Sequence, residues 1–313
     1  MKIMPTKCSL TSKLLCQMLS RLKFILKRSL KFIWWAIRRP LHDVYIDTPT
    51  NPFHSSWEKF CISWRYRLAA RGLFFSKNEK QIASFQNRFV GERCFIIGNG
   101  PSLNQMDLSP LAKEFTFGVN AIYLNESKMG FLPTFHVVED TLVAEDRMKE
   151  LLAYNGSVKF AGNHLKYCLG QGEDFIWLNT MFDYSLYRNF PHFSRNALRC
   201  LWVGGTVSYL CMQLAYYMGF KEVYLVGFDH SYEIPKDADL SGKTITSQSG
   251  DPNHFDSSYF GKGKRWHDPA LWRMEMAYKK ARDNFEFDGR KIVNCSATSA
   301  LTVFEKKPFA DVL

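Results

Sequence analysis

The 313-residue sequence contains no acidic residue before Asp43. It also lacks an unbroken apolar run long enough to span a bilayer, so the expectation is no transmembrane helix and a chain kept on the cytoplasmic side. The eight cysteines form no C-x-x-C pair, which argues against a zinc site or a secreted disulfide framework and favours reduced thiols. Internal repeats and low-complexity runs are missing too, which excludes a solenoid or a propeller. With 23% charged and 46% hydrophobic residues, the composition is that of a globular chain with a real core, not of a disordered, collagenous or coiled-coil one.

What is present is a charge split. Lys2, Lys7, Lys13, Arg21, Lys23, Lys27, Arg28, Lys31, Arg38 and Arg39 precede the first acid, whereas the following 271 residues carry 31 basic and 30 acidic side chains. The net charge of +11 therefore belongs to a tail and does not point to nucleic acid as a partner.

That tail has helical periodicity. Leu15, Met18, Leu19, Leu22, Ile25, Leu26, Leu30, Ile33, Trp34 and Ile37 recur at three- and four-residue steps, with Lys13, Gln17, Lys23, Lys27 and Lys31 opposite, and Pro40 ends the pattern. Residues 1–42 thus read as a basic amphipathic helix whose segment 13–39 lies on an anionic membrane surface, placing the protein peripherally on the inner face of the cytoplasmic membrane. The same pattern also suits a helix docked on its own core or on a partner, or an organelle presequence. Lysines interrupt every candidate apolar stretch of a signal peptide. Residues 43–90, with Trp57, Phe60, Trp64, Tyr66 and Phe74, read as a helical lead-in to a third unit, 91–313.

From Arg93 the pattern changes to short buried strands separated by polar turns. Cys94-Phe95-Ile96-Ile97 ends at Gly98-Asn99-Gly100-Pro101-Ser102-Leu103, a turn that would place backbone N–H groups and a helix start beside a phosphate or nucleotide, or serve only as a structural turn. Neither the dinucleotide fingerprint nor a P-loop is satisfied. Phe115–Val119 and Phe135–Val138 read as further strands ending at Asn120 and Asp140. Ligands of open parallel sheets sit beyond the carboxyl ends of the strands, so Asn99, Asn120 and Asp140 should converge, although each alone suits a loop cap equally well. Val203-Gly204-Gly205-Thr206-Val207, a helix through Met218, and Glu222–Val226 leading to Gly227-Phe228-Asp229 form another strand–helix–strand half. The expected fold is therefore α/β, Rossmann-like, with a predominantly parallel sheet, helices on both faces and the amphipathic helix in front.

The G-N-G-P-S-L turn, the Val119-Asn120 strand end and the Gly219–Asp229 stretch resemble the bacterial sialyltransferases of Campylobacter lipooligosaccharide synthesis. They resemble equally the related domain of the archaeal 6-hydroxymethylpterin pyrophosphokinases, which share a strand-end Asp like Asp140 and a G-G-x-V turn like Gly204–Val207. The likeness covers about residues 91–300. It implies nucleotide or donor contacts from Gly98, Asn99, Gly100, Ser102, Asn120, Asp140, Gly205, Thr206 and Asp229. At the position of Asp140 the sialyltransferases carry Asn, a departure that favours the pterin enzymes. The last strand, ending at Asn294 and Ser296, adds two further candidates.

The sialyltransferase resemblance also implies a histidine base downstream of the Gly-x-Asp strand, for which His254 and His267 compete, with spacing favouring His267. The segment from about 232 to 267 has the polar, aromatic and glycine content of a mobile lid. Its Lys262, Lys264 and Arg265 could neutralise a leaving phosphate without a metal, or form a solvated face. Asp237-Ala238-Asp239 has the form of a metal-binding Asp-x-Asp but sits inside that segment, so no metal site is assigned.

The resulting expectation is an inverting, metal-independent glycosyltransferase. It would take a nucleotide-sugar donor, CMP-linked, and act on a cell-surface glycan or glycolipid, with no further cofactor. The sialyltransferase resemblance also leaves room for a homo-oligomer. The alternatives are an ATP-dependent pyrophosphokinase acting on a pterin-like alcohol, with Mg²⁺ at Asp140, and a nucleotide-binding module without chemistry.

Overall fold

A computed structural model describes residues 64–313 except 171, 183–189 and 242–243. The amphipathic helix, the membrane segment 13–39 and the first part of the lead-in lie outside the described residues. Of the lead-in, residues 64–69 are helical and α1 spans Lys77–Ser84, started by a Ser76/Glu79 capping box.

The buried apolar runs form strands as expected. These are β1 (Arg93–Ile97), β2 (Phe115–Val119), β3 (Phe135–Val138), β4 (Val158–Gly162), β5 (Ile176–Leu178), β6 (Thr180–Met181), β7 (Leu201–Trp202), β8 (Glu222–Val226), β9 (Asp239–Ser241), β10 (Thr244–Thr246), β11 (Arg265–His267), β12 (Lys291–Asn294) and β13 (Glu305–Lys306). Eight of them make one sheet in the order β13-β12-β8-β1-β2-β3-β4-β5, and every pairing in it is parallel.

Side chains alternate across a strand, so β1 divides its residues between two cores. Cys94 and Ile96 join a cluster with α3 (Val207–Met218) and with Ala277, Tyr278, Ala281 and Phe285 of α4 (Leu271–Phe287). Phe95 and Ile97 face the other way, toward Leu103, Leu111, Ile122, Phe255 and Tyr259. A sheet covered on both faces is what a parallel arrangement requires, and it explains why its strands read as unbroken apolar runs. All twelve residues of α3 are buried. The charge-free stretch 200–220 that contains it is thus a central core helix, and no helix among the described residues is long and apolar enough to cross a membrane.

Gln213 is the one strongly polar side chain in α3, and its amide is fully used. Its Oε1 accepts from Ser194 N and Trp202 N at 2.9 and 3.0 Å, while Nε2 donates to Trp202 O and Tyr209 O. β7 and the loop before it are thereby fixed to the helix.

The segment read as a lid carries structure of its own. β9, β10 and β11 pair antiparallel as a separate three-stranded sheet. Between β10 and β11 the chain is tied down: Phe255 N donates to Asn99 O, Asn104 Nδ2 to Phe255 O, and Arg147 Nη2 to Tyr259 O. Cys94, Cys168, Cys200, Cys211 and Cys295, the five described cysteines, form no disulfide with one another.

Phe117 lies at the centre of the larger core, fully buried against Phe135 and Phe220. Phe117→Ala should destabilise the protein by about 3–5 kcal/mol through lost contact and an unfilled cavity, read as the shift in a denaturant midpoint.

Candidate active site

The strand order reverses at β1, which runs toward β2 on one side and is reached again by β8 on the other. The crevice beyond the carboxyl ends of those two strands is where such sheets bind ligands. A cavity of about 800 Å³ occupies it.

The two turns that floor this cavity approach unusually closely. Gly100 N donates to Gly227 O at 3.0 Å and Gly98 N to Val226 O at 2.8 Å. A Cβ on Gly98 would fall 2.5 Å from Gly227 O, and one on Gly100 2.6 Å from Asp229 Oδ2, so both positions need glycine. Asp229, buried, closes the turn by accepting from Ser102 N at 2.8 Å. Pro101 has no N–H, and Leu103 N turns back to Gly100 O. The residues after Gly100 form a five-residue 3₁₀ turn, Pro101–Gln105, instead of a longer helix. The N–H groups of Gly98, Gly100, Ser102 and Leu103 are thus taken up by the protein itself. Ser102 is buried behind the turn and does not line the cavity.

A buried polar chain sets the adjacent strand ends. Asn120 adopts a left-handed conformation (φ 47°) and its Oδ1 accepts from Glu139 N. His136 Nε2 donates to Asn120 O at 2.6 Å. His164 Nε2 donates to Glu139 O at 3.0 Å, so its Nδ1 accepts from the Thr180 hydroxyl at 2.7 Å. Burial lowers both imidazoles to about 4, which keeps them neutral and fixes these tautomers. Asp140 caps α2 (Thr141–Asp146), its Oδ1 accepting from Leu142 N and Val143 N at 2.8 and 3.0 Å. Glu139 beside it lines the cavity, and burial, reinforced by Asp140 and opposed by Arg273, pushes its carboxyl up to about 8.

On the far wall Thr206 caps α3, its hydroxyl accepting from Ser208 N at 3.3 Å. Gly205, at φ 87°, brings this helix end to the cavity surface. Among the described residues none accepts from the Val207 N–H. The segment between β10 and β11 supplies Tyr259 and Phe260 to the roof, and β11 adds Trp266.

Both candidate histidines reach the cavity, but only one is oriented by a carboxylate. His254 Nδ1 donates to Asp251 Oδ2 at 2.7 Å, and its ring stacks on Tyr259 with centroids 4.0 Å apart. The Asp251 side chain is 2% exposed and also accepts from Asn253 N and Phe260 N. His254 Nε2 is thereby left as the acceptor nitrogen. His267 ends β11, is exposed, and its side chain makes no hydrogen bond to the described residues.

Of the other expected residues, Gly98, Asn99, Gly100, Asn120, Asp140, Gly205, Thr206 and Asp229 all line the cavity. Asn294 and Ser296 do not: Ser296 Oγ accepts from Phe228 N, and Asn294 Nδ2 donates to Ser299 Oγ, so both brace the β8 turn from behind. The expected phosphate-neutralising cations are also elsewhere. Lys264 Nζ donates to Asp146 O, Arg265 is paired with Asp146 and Glu145, and neither these two nor Lys262 lines the cavity. Asp237 and Asp239 accept from Ser249 and Gln248 and stay outside it too. Among the described residues no cluster of three His, Cys, Asp or Glu stands ready to hold a metal.

His230 and Arg273, which line the cavity, Asp251, which orients His254, and Glu139 beside Asp140 were not singled out in the sequence. Asp251 had a signal, three residues before His254; Glu139 adjoined a chosen Asp; Arg273 and His230 had none.

The buried groups set a pH dependence. His136 and His164 bind protons in the unfolded state near pH 6.5 but in the folded state only near 4, so stability falls as pH drops through that window. Glu139 works in reverse: its folded form keeps a proton up to about 8, so its contribution is present below pH 4.5 and lost as pH rises toward 8. Glu139→Gln should therefore gain thermal stability relative to the parent as pH is raised from 5 to 8, measured as the difference in melting midpoint. A difference independent of pH would refute this.

No curated protein matches the sequence. Among solved structures, that of the MAf glycosyltransferase from Magnetospirillum magneticum AMB-1 is similar with a TM-score of 0.44 and 18% identity, over 82% of this chain and 42% of that one. This chain thus spans less than half the length of that protein. Residues 73–235 match the family described as 6-hydroxymethylpterin diphosphokinase MptE-like, and the chain belongs to this MptE-like family.

Proposed function

We propose that the protein is a transferase that moves an activated group from a nucleotide to an acceptor hydroxyl, with a CMP-linked sugar as donor. The observation that carries this reading is the His254–Asp251 pair at the sheet's switch-point cavity. A carboxylate that holds Nδ1–H leaves Nε2 as a base near neutral pH, a role contributing roughly 10²–10⁴-fold to rate. In the proposed inverting step His254 Nε2 takes the acceptor's hydroxyl proton and the acceptor oxygen bonds to the anomeric carbon. The bond from that carbon to the phosphate oxygen breaks, and its electron pair leaves with CMP. Tyr259, Phe260 and Trp266 offer aromatic faces to the donor.

A second reading, diphosphate transfer from ATP to a pterin-like alcohol, is favoured by the family match and by the carboxyls of Glu139 and Asp140 at the cavity. It would use the same base, and Asp140 suits Mg²⁺ carried in by the nucleotide's phosphates. The sequence pattern of residues 13–39 supports the CMP-sugar reading, because a glycolipid acceptor would be met at the inner face of the cytoplasmic membrane.

His254→Ala should abolish transfer while a thermal-shift titration still detects CMP, and Asp251→Asn should lower turnover by a smaller factor. If His254→Ala turns over normally and His267→Ala is dead, the base is His267. Stabilisation by ATP with Mg²⁺, and not by CMP, would favour the second reading.

Removing residues 1–42 should release the protein from anionic lipid vesicles in a flotation assay. Undiminished vesicle binding by the shortened chain would overturn the membrane-surface role.

A further inference from the structure

The cavity is lined by four acidic side chains, Glu139, Asp140, Asp229 and Asp268, yet a nucleotide donor brings phosphate into it. Something must meet that charge. The turn after β1 is ill suited, because the N–H groups of Gly98, Gly100 and Ser102 are taken by Val226 O, Gly227 O and Asp229 Oδ2. Lys264 and Arg265 are held by Glu145 and Asp146 outside the cavity.

Among the described residues lining the cavity, Arg273 is the only lysine or arginine. It sits in the first turn of α4, and its side chain packs across Gly205: a Cβ there would stand 3.4 Å from Arg273 Cδ and 3.7 Å from Nε. Gly205 immediately precedes Thr206, the cap of α3. The guanidinium stem thus crosses the amino end of a twelve-residue helix, where the backbone dipole is positive. Two sources of positive potential meet at this part of the cavity wall, where Arg273 also acts on the buried Glu139. A side chain on Gly205 would intrude between them.

We infer that Arg273 is the phosphate-binding residue of the donor site. It clamps the phosphate of the nucleotide against the Gly205–Ser208 helix end. The nucleoside then extends toward Asn99 and Tyr259. The charge that grows on the phosphate as the sugar departs develops beside a fixed guanidinium. The inference rests on the nucleotide-donor reading, and it assigns an orientation that reading leaves open.

Calorimetric titration of the full chain with CMP and with cytidine tests it, with ATP and adenosine as a second pair. Arg273→Gln should weaken the nucleotide roughly ten- to hundredfold, the loss of one charge-assisted contact, and leave the nucleoside within about twofold. Arg273→Lys should recover part of the loss and, as the more conservative change, provides the comparison if the Gln variant does not fold. Equal weakening of nucleotide and nucleoside would mark Arg273 as structural and overturn the inference. So would unchanged CMP affinity in a folded Arg273→Gln protein, which would leave the donor reading standing. If the unsubstituted chain binds none of the four compounds, the donor reading falls and the inference with it.

Discussion

The site depends on how closely two turns can approach. β1 and β8 are neighbours in a parallel sheet, and the chain leaving each must cross the end of the other without a Cβ in the way. Gly98, Gly100 and Gly227 make that possible, with Gly100 N on Gly227 O and Gly98 N on Val226 O. Asp229 then locks the arrangement by drawing Ser102 N onto its carboxylate. Asn99, caught between the two, donates to Val119 O and to the Tyr259 hydroxyl, and its own carbonyl accepts from Phe255 N. The floor, the neighbouring strand β2 and the roof segment are thus joined through one asparagine. A roof held this way is a wall of the site as much as a cover.

The other side of the cavity is built from buried polar groups held to one another by hydrogen bonds, because burying such groups without partners is costly. His136, Asn120, Glu139, His164 and Thr180 link the ends of β2, β3 and β4 to β6 in one run of hydrogen bonds. The neutral His164 donates at one nitrogen and accepts at the other, whereas His136 donates at Nε2 and its buried Nδ1 has no hydrogen-bond partner among the described residues. The run explains the left-handed Asn120: its carbonyl and its side chain serve His136 and Glu139 at once, two contacts that offset the strain of that conformation. It also places a carboxyl, Glu139, in the cavity wall with its proton retained by burial.

Much of this was legible in the sequence, and the reasons for the gaps are physical. β1, β2, β3, β8 and β12 stand where apolar runs meet Gly, Asn or Asp, since a strand buried on both faces tolerates little else. β4 escaped because Lys159 interrupts it; the structure buries that lysine, with Nζ donating to Tyr154 O at 2.8 Å and lying over the Phe175 ring. β5 has only three residues, too short to carry a pattern. Strand-end residues lining the cavity were recoverable because topology alone puts them there. Charge partners were not. Lys264 and Arg265 look free in sequence, and their partners, the Asp146 carbonyl for Lys264 and the Glu145 and Asp146 carboxylates for Arg265, lie more than a hundred residues earlier. Arg273 looks like an ordinary surface residue of a mixed helix until α4 folds against Gly205.

The arrangement of charge bears on why one scaffold suits more than one group transfer. On either proposed reading, His254, the aromatic roof and the glycine floor would make no distinction between an anomeric carbon and a phosphorus as the centre attacked, since both reactions need a deprotonated hydroxyl and a bound nucleotide. What differs is the charge carried by the nucleotide. A single phosphate is matched by one guanidinium and a helix end. A triphosphate would need more neutralisation, and the carboxyl of Asp140 would repel it unless a cation accompanied it. On the proposed reading, the balance between Arg273 and the neighbouring carboxyls in the cavity would decide which donor is accepted. A family that keeps the floor and varies these groups can change its chemistry without changing its fold.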